Sequence, residues 1–218
     1  MSSGENRPVA NIAVMGTSQV GKSALTVRFL TRRFIGEYCN VEAVYTHCVA
    51  ATQGDAVLLN IWDCPCREDE RRPWASGHES RITWADAFLL VYSVCDRDSF
   101  NAALQMAQAL RDTRRPAGRA ARAPAVVVVV GNKRDLQHAR AVGTQEARAL
   151  TAALGCGFFE TSAAESCEDA ETVFQALLGA VSGKRRGGGP KACRPPTGKR
   201  VLGLRSLLKT LSMLFLRK

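Results

Sequence analysis

No run of eighteen apolar residues occurs anywhere in the 218-residue chain, which excludes a membrane-spanning helix. The eight cysteines, at 39, 48, 64, 66, 95, 156, 167 and 193, form no C-x-x-C pair. Cys64-Pro65-Cys66 has no second ligand pair to complete a zinc site. The thiols are therefore expected to be free, as in a reducing cytoplasm. No secretory signal is expected, and Met1-Ser2 lacks the glycine that N-myristoylation requires. The sequence ends Phe215-Leu216-Arg217-Lys218, so a C-a-a-X prenylation box is not expected. No internal repeat is evident. Acidic residues are missing from Lys184 onward, a stretch that holds eleven of the thirty Lys and Arg. The net charge of +10 thus belongs to the tail, and the rest of the chain is close to neutral.

What is present begins with Gly16-Thr17-Ser18-Gln19-Val20-Gly21-Lys22-Ser23. It fits the phosphate-binding pattern G-x-x-x-x-G-K-S/T, lying after an apolar run, 9–15, and opening a helix-compatible stretch. A strand delivers a tight loop whose backbone N–H groups turn inward, and the following helix adds its positive dipole end. Residues Gly16 to Ser23, with Ala24 behind them, are the candidate phosphate contacts. Lys22 is expected at the β/γ phosphates and the Ser23 hydroxyl on Mg²⁺.

A β-branched run, 126–130, ends in Gly131-Asn132-Lys133-Arg134-Asp135. N-K-x-D after a buried strand suits guanine, because an ionised Asp accepts both the ring N–H and the exocyclic amine. Adenine offers no matching pair of donors. Glu160-Thr161-Ser162-Ala163-Ala164 then follows another apolar run. Backbone N–H groups at Ser162, Ala163 and Ala164 would meet the guanine carbonyl.

These three motifs, in this order, resemble those of the Ras-like small GTPases, over roughly residues 8 to 182. Arg32-Arg33-Phe34-Ile35-Gly36-Glu37-Tyr38 and the segment 84–93, WADAFLLVYS, resemble most the unlipidated branch. That branch includes the Ras-related estrogen-regulated growth inhibitor and its Ras-like cousins. The resemblance implies a P-loop G domain that binds GTP or GDP with Mg²⁺, with Phe34 stacked edge-on over guanine. It also implies a monomer that signals through protein effectors.

Strands are expected at 9–15, 45–51, 57–62, 87–94, 125–131 and 157–160, and helices at 22–32, 99–111, 144–154 and 167–181. Gln53-Gly54-Asp55 marks a turn that makes the second and third strands an antiparallel hairpin. Ser166 followed by Asp169 signals the N-cap of the last helix. Alternating elements imply an α/β fold: a six-stranded, mostly parallel sheet flanked by about five helices. Ligands bind such sheets beyond the carboxyl ends of the strands, where the three motifs fall. The expected layout is a frayed 1–7, a G domain at 8–182, a basic Gly/Pro-rich linker at 183–198 and a basic amphipathic helix at 199–218. The basic loop 114–124 is expected to be a solvated surface.

Several positions depart from the Ras pattern. Ser18 and Gln19 stand where small glycines are usual, and Ser18 would crowd an incoming arginine finger. The first switch is one residue short, and its best register puts Asn40 at the Mg²⁺-sensing threonine. Asp63 keeps the metal-side carboxylate, so the metal set is Ser23, Asp63 and Asn40. The T-A-G-Q that follows it in Ras is here Cys64-Pro65-Cys66-Arg67. Cys66 is less permissive at positive φ than the glycine it replaces. Arg67 occupies the water-orienting Gln position and has donors only, so it cannot hold the water through a carbonyl. An in-built arginine finger is the alternative role for Arg67. Trp74 and Trp84 are expected to be packing residues, and Ala164 stands for the usual lysine of S-A-K.

Two functions remain open: a signalling switch with slow GTP hydrolysis, and a non-catalytic pseudo-GTPase interaction module. From Lys199, a helix would gather Val201, Leu204, Leu207, Leu208, Leu211, Leu214 and Phe215 on one face. Such a tail suits an anionic inner plasma membrane or a calmodulin-like groove. Its basic clusters equally suit the nucleus or nucleolus, and packing on the domain is the third option.

Overall fold

Parallel strands covered on both faces need apolar residues at consecutive positions, and three segments supply them. The computed structural model describes residues 8–38, 41–50, 56–64, 79–113, 125–185 and 201–203. Strand β1 (Val9–Met15) lies between β3 (Ala56–Asp63) and β4 (Ala87–Ser93), parallel to both. Every residue of β4 is buried, and β5 (Val126–Asn132) pairs beside it in parallel. Strand β6 (Gly157–Glu160) closes one edge. Toward the other edge β2 (Ala43–Ala50) runs antiparallel to β3, with Ala50 opposite Ala56. The expected hairpin is present, although its turn residues lie outside the described residues.

Alternation along each strand divides the core into two layers. Ile12, Val14, Leu89 and Val91 face helices α1 (Lys22–Thr31) and α5 (Cys167–Arg185), packing on Leu25, Phe174 and Leu177. Ala13, Met15, Phe88 and Leu90 face the other layer. There they meet α2 (Glu79–Trp84), α3 (Arg97–Thr113) and, through Ala147, α4 (Thr144–Ala153). Trp84 is a core residue, with its ring edge-on to Trp62 at 5.2 Å; Trp74 lies outside the described residues. Each fully buried large apolar side chain contributes about 1.5–3 kcal/mol, so the two layers hold the sheet rigid beneath the loops at its carboxyl end.

The six strands and the five helices α1–α5 make the expected Ras-family arrangement. Local chemistry moves some boundaries. Helix α3 starts at Arg97 because the Asp96 carboxylate accepts from the N–H groups of Asp98 and Ser99, at 3.0 and 3.2 Å. The Ser166 hydroxyl accepts from the Asp169 N–H at 3.0 Å, the anticipated cap of α5. Helix α2 was not anticipated; its six residues are too short for a clear helical period.

The tail needs a correction. Inside the segment expected to be helical, Val201–Gly203 form a seventh strand, β7, parallel to β2 at the sheet edge. The strand order is β6-β5-β4-β1-β3-β2-β7. An open edge offers unpaired N–H and C=O groups, and that template overrides a local helical period. The rest of 199–218, like the loop 114–124, lies outside the described residues.

Candidate functional site

The loop between β1 and α1 requires glycine at two positions. Gly16 has φ 146°, and a Cβ there would come within 2.1 Å of the Val91 carbonyl oxygen. Gly21 has φ 95°, and its Cβ would meet the Asn132 amide nitrogen at 2.2 Å. Both glycines therefore serve close backbone approach as well as a left-handed turn. Gln19 adopts φ 60° without being glycine, at a cost of roughly 1 kcal/mol. Lys22, almost fully buried, donates from Nζ to the carbonyls of Gly16 (3.0 Å) and Thr17 (2.6 Å). It is held over the loop by the backbone it would share with a phosphate.

Asn132, at the end of β5, ties the three motifs together. Its Nδ2 donates to the Val20 carbonyl at 2.9 Å, and its Oδ1 accepts from the Ala163 N–H at 3.1 Å. The Thr161 hydroxyl also reaches Oδ1, at 3.4 Å. Asp135 accepts from the Ser162 hydroxyl at 2.6 Å, which fixes the carboxylate's direction. Lys133 sits at φ 66° in the turn between them. Arg134 anchors this turn from outside, donating its N–H to the Thr161 carbonyl and pairing with Asp169 of α5 at 2.8 Å.

A cavity of about 660 Å³ opens between these loops. Ser18, Gln19, Gly21, Lys22, Ser23 and Ala24 line one end of it; Asn132, Lys133, Asp135, Ala163 and Ala164 line the other, with Phe34 at the rim. Its volume is of the size that ligand pockets have, roughly 300–1,000 Å³. Gly36, Tyr38 and Leu136 also line it and were missed as site residues. Gly36 and Tyr38 belong to the segment that carried the family resemblance, and Leu136 directly follows Asp135. The Tyr38 hydroxyl accepts from the Ile35 N–H at 3.0 Å, which fastens the rim. Burial raises its pKa.

Gly16, Thr17, Val20 and Ser162 are not among the residues that line the cavity. Gly16 and Thr17 present carbonyls to Lys22. The Val20 side chain is in the core. Ser162 is fully buried and acts through Asp135. Asn40 and Arg67 lie outside the described residues.

Asp63 ends β3 with 3% of its surface exposed. Burial pushes its carboxyl up to about 6, against the lowering influence of the Ser23 hydroxyl bond and the Lys22 charge. A buried carboxylate held this way, beside a hydroxyl, favours a cation. Mg²⁺ takes one or two carboxylates and completes its octahedron with phosphate oxygens and water. Asp63 and Ser23 fit that requirement.

Comparison with known proteins agrees with this geometry. The Ras family model matches residues 11–182. The chain is 41% identical over 185 residues to Ras-like protein family member 11A of Rattus norvegicus, covering 80% of this chain and 74% of that one. It is 37% identical over 187 residues to Ras-like protein family member 11B of Homo sapiens, covering 83% and 71%. It is 35% identical over 175 residues to the human Ras-related and estrogen-regulated growth inhibitor, covering 80% and 82%. With a phosphate loop and a guanine-type N-K-x-D turn meeting at one cavity, a buried carboxylate bonded to Ser23 of that loop, and a family match over residues 11–182, this chain belongs to the Ras family.

Proposed function

We propose that the chain is a guanine-nucleotide-binding signalling protein that hydrolyses GTP slowly, with Mg²⁺. One observation carries the reading: the phosphate loop and the N-K-x-D turn line a single cavity and are bonded together through Asn132. Asp135, aimed by Ser162, accepts the two guanine donors. Lys22 and the loop N–H groups hold the β and γ phosphates, and Phe34 covers the base from the rim. Asp63 and Ser23 would hold Mg²⁺, which when bound would supply charge neutralisation for the phosphates.

Slow turnover follows from what the sequence places around the γ-phosphate. A water needs an acceptor to orient it for in-line attack, and Arg67 offers only donors. Ser18 lines the cavity where a partner's arginine would enter. These changes leave the residues Lys22, Asn132 and Asp135 in the sequence, so binding is expected to persist. The competing reading, an interaction module that never hydrolyses its nucleotide, draws on the same Cys66 and Arg67. Residues 204–218, which carry Arg205, Lys209, Arg217 and Lys218 among leucines, direct the protein from the cytoplasm to an anionic inner membrane surface. A nuclear destination is the alternative.

Denaturing the purified protein and identifying the released nucleotide by chromatography tests the binding. GTP or GDP is expected, and adenine nucleotides at equal occupancy would refute it. Single-turnover measurement with bound GTP separates the two readings: slow, Mg²⁺-dependent phosphate release is expected, whereas complete absence favours the module.

A further inference from the structure

Strand β2 is the edge of the six-stranded sheet, and its outer side would present a row of unpaired backbone groups. Residues 44–46 of that edge are paired: Val44 with Val201, Tyr45 with Leu202 and Thr46 with Gly203, in parallel. No other strand lies on this side of β2 among the described residues. The pairing starts two residues after Glu42, whose carboxylate accepts from the Trp62 indole N–H at 2.9 Å. Gly36 and Tyr38, just before it, line the cavity. The tail is therefore laid against the strand that leads out of the candidate nucleotide site.

We propose that residues 201–203 are a self-capping strand that reversibly occupies the outer edge of β2 and excludes a second extended chain from it. Three features support reversibility and reach. The strand is only three residues long, so few backbone bonds hold it. Residues 186–200 can extend to about 50 Å, whereas the sheet from β5 to β7 spans roughly 24 Å at the usual strand spacing. The linker also contains Gly187-Gly188-Gly189 and Pro195-Pro196, residues that disfavour helix. A tether of this kind keeps the strand at an effective concentration on the order of millimolar. That is enough to favour the closed edge and low enough for a competitor to open it. Backbone pairing is tolerant of sequence, so the site would accept an extended peptide segment through main-chain bonds. The inference does not depend on whether bound GTP is hydrolysed.

The test uses the full chain. Leu202→Pro combined with Gly203→Pro removes two adjacent N–H groups, so whichever faces β2 is lost. Amide hydrogen exchange at residues 44–46 should quicken by about tenfold or more, while β1, β4 and β5 stay unchanged. Unchanged exchange at 44–46 would overturn the proposal. In a second variant, Thr46→Cys with Gly203→Cys, mild oxidation should yield a 46–203 disulfide mapped by mass spectrometry; failure to form it would equally overturn the cap. Finally, a fluorescent peptide of residues 199–206 should bind the double-proline chain at least about tenfold more tightly than the unaltered chain, whose own strand competes. Equal binding to both would refute exclusion from the edge.

Discussion

At one end of the cavity, Asp135 and Asn132 are held by bonds within the protein, Asp135 by the buried Ser162 behind it, before any ligand arrives. At the other end, Lys22 and Ser23 line the cavity, and behind them Asp63 lies buried with its carboxyl pushed up to about 6, offset only by those two residues. The base end is preorganised, so its residues are already aimed and little ordering accompanies binding. The metal end carries a desolvation cost only partly offset by Ser23 and Lys22, which a cation would relieve. The two ends should therefore respond differently to substitution. Damage at the base and phosphate cradle should abolish or redirect binding. Damage at the metal end should uncouple binding from Mg²⁺ and can stabilise the empty protein.

The largest effect is expected at the phosphate loop. Lys22→Ala removes the buried cation over the loop and should abolish tight nucleotide binding. Gly21→Ala should do the same for a steric reason, since its Cβ would fall 2.2 Å from Asn132 Nδ2 at φ 95°. It should also cost about 2–4 kcal/mol of stability, as overpacking combined with a strained left-handed alanine. Thermal unfolding and nucleotide titration check both. Near-normal affinity in either variant would mean that the cavity is not the binding site.

Next comes a change of preference. Asp135→Asn replaces an acceptor by an amide that can donate to the second carbonyl of xanthine. Competition binding should show guanine nucleotides weakened and xanthine nucleotides gained, a reversal worth about 2–3 kcal/mol for a charge-assisted pair. Because Ser162 fixes Asp135 at 2.6 Å, Ser162→Ala should weaken guanine binding without reversing preference. If Asp135→Asn left the preference unaltered, the base would not sit at this end.

Much of the base end was legible because its chemistry is local: a fixed spacing after a buried strand encodes Asn132, Lys133 and Asp135. The sheet was legible for the same reason, its strands being short apolar runs between turn signals. Asn132 as the strut to Val20 was not, since residues 112 positions apart meet only through the fold. Tyr38 and Gly36 carried no signal beyond family likeness. The tail was misread over 201–203 because a leucine period reports local preference, whereas β7 is dictated by a distant open edge.

The metal end gives a smaller effect with a defined pH signature. Asp63 titrates in the folded state near 6, against an ordinary 3.8. The folded state thus holds the proton that the unfolded state releases, and stability falls as pH rises from about 4 to about 6. Asp63→Asn should remove that slope and stabilise the nucleotide-free protein at pH 7 by on the order of 2–3 kcal/mol. The same variant should lose the Mg²⁺ dependence of nucleotide affinity. Melts across pH 4 to 8, with and without Mg²⁺, check both, and a destabilised empty protein at pH 7 would contradict a poorly compensated buried charge.

The smallest effect is expected where the sequence departs furthest from Ras. Arg67→Gln restores an amide that can orient water. It leaves Cys66 in place of a glycine, and it leaves the first switch one residue short. Ser18 still lines the cavity. One group acting alone on a misaligned site gains little, so single-turnover hydrolysis should rise by less than about threefold, under 1 kcal/mol of barrier. Adding Cys66→Gly should raise it further, because the loop regains its permissive backbone. A fall in rate on Arg67→Gln would instead identify Arg67 as an in-built finger that stabilises charge on the phosphates. A rise of a hundredfold from the single change would show that the metal end is otherwise intact, and would erase the contrast between the two ends of the cavity.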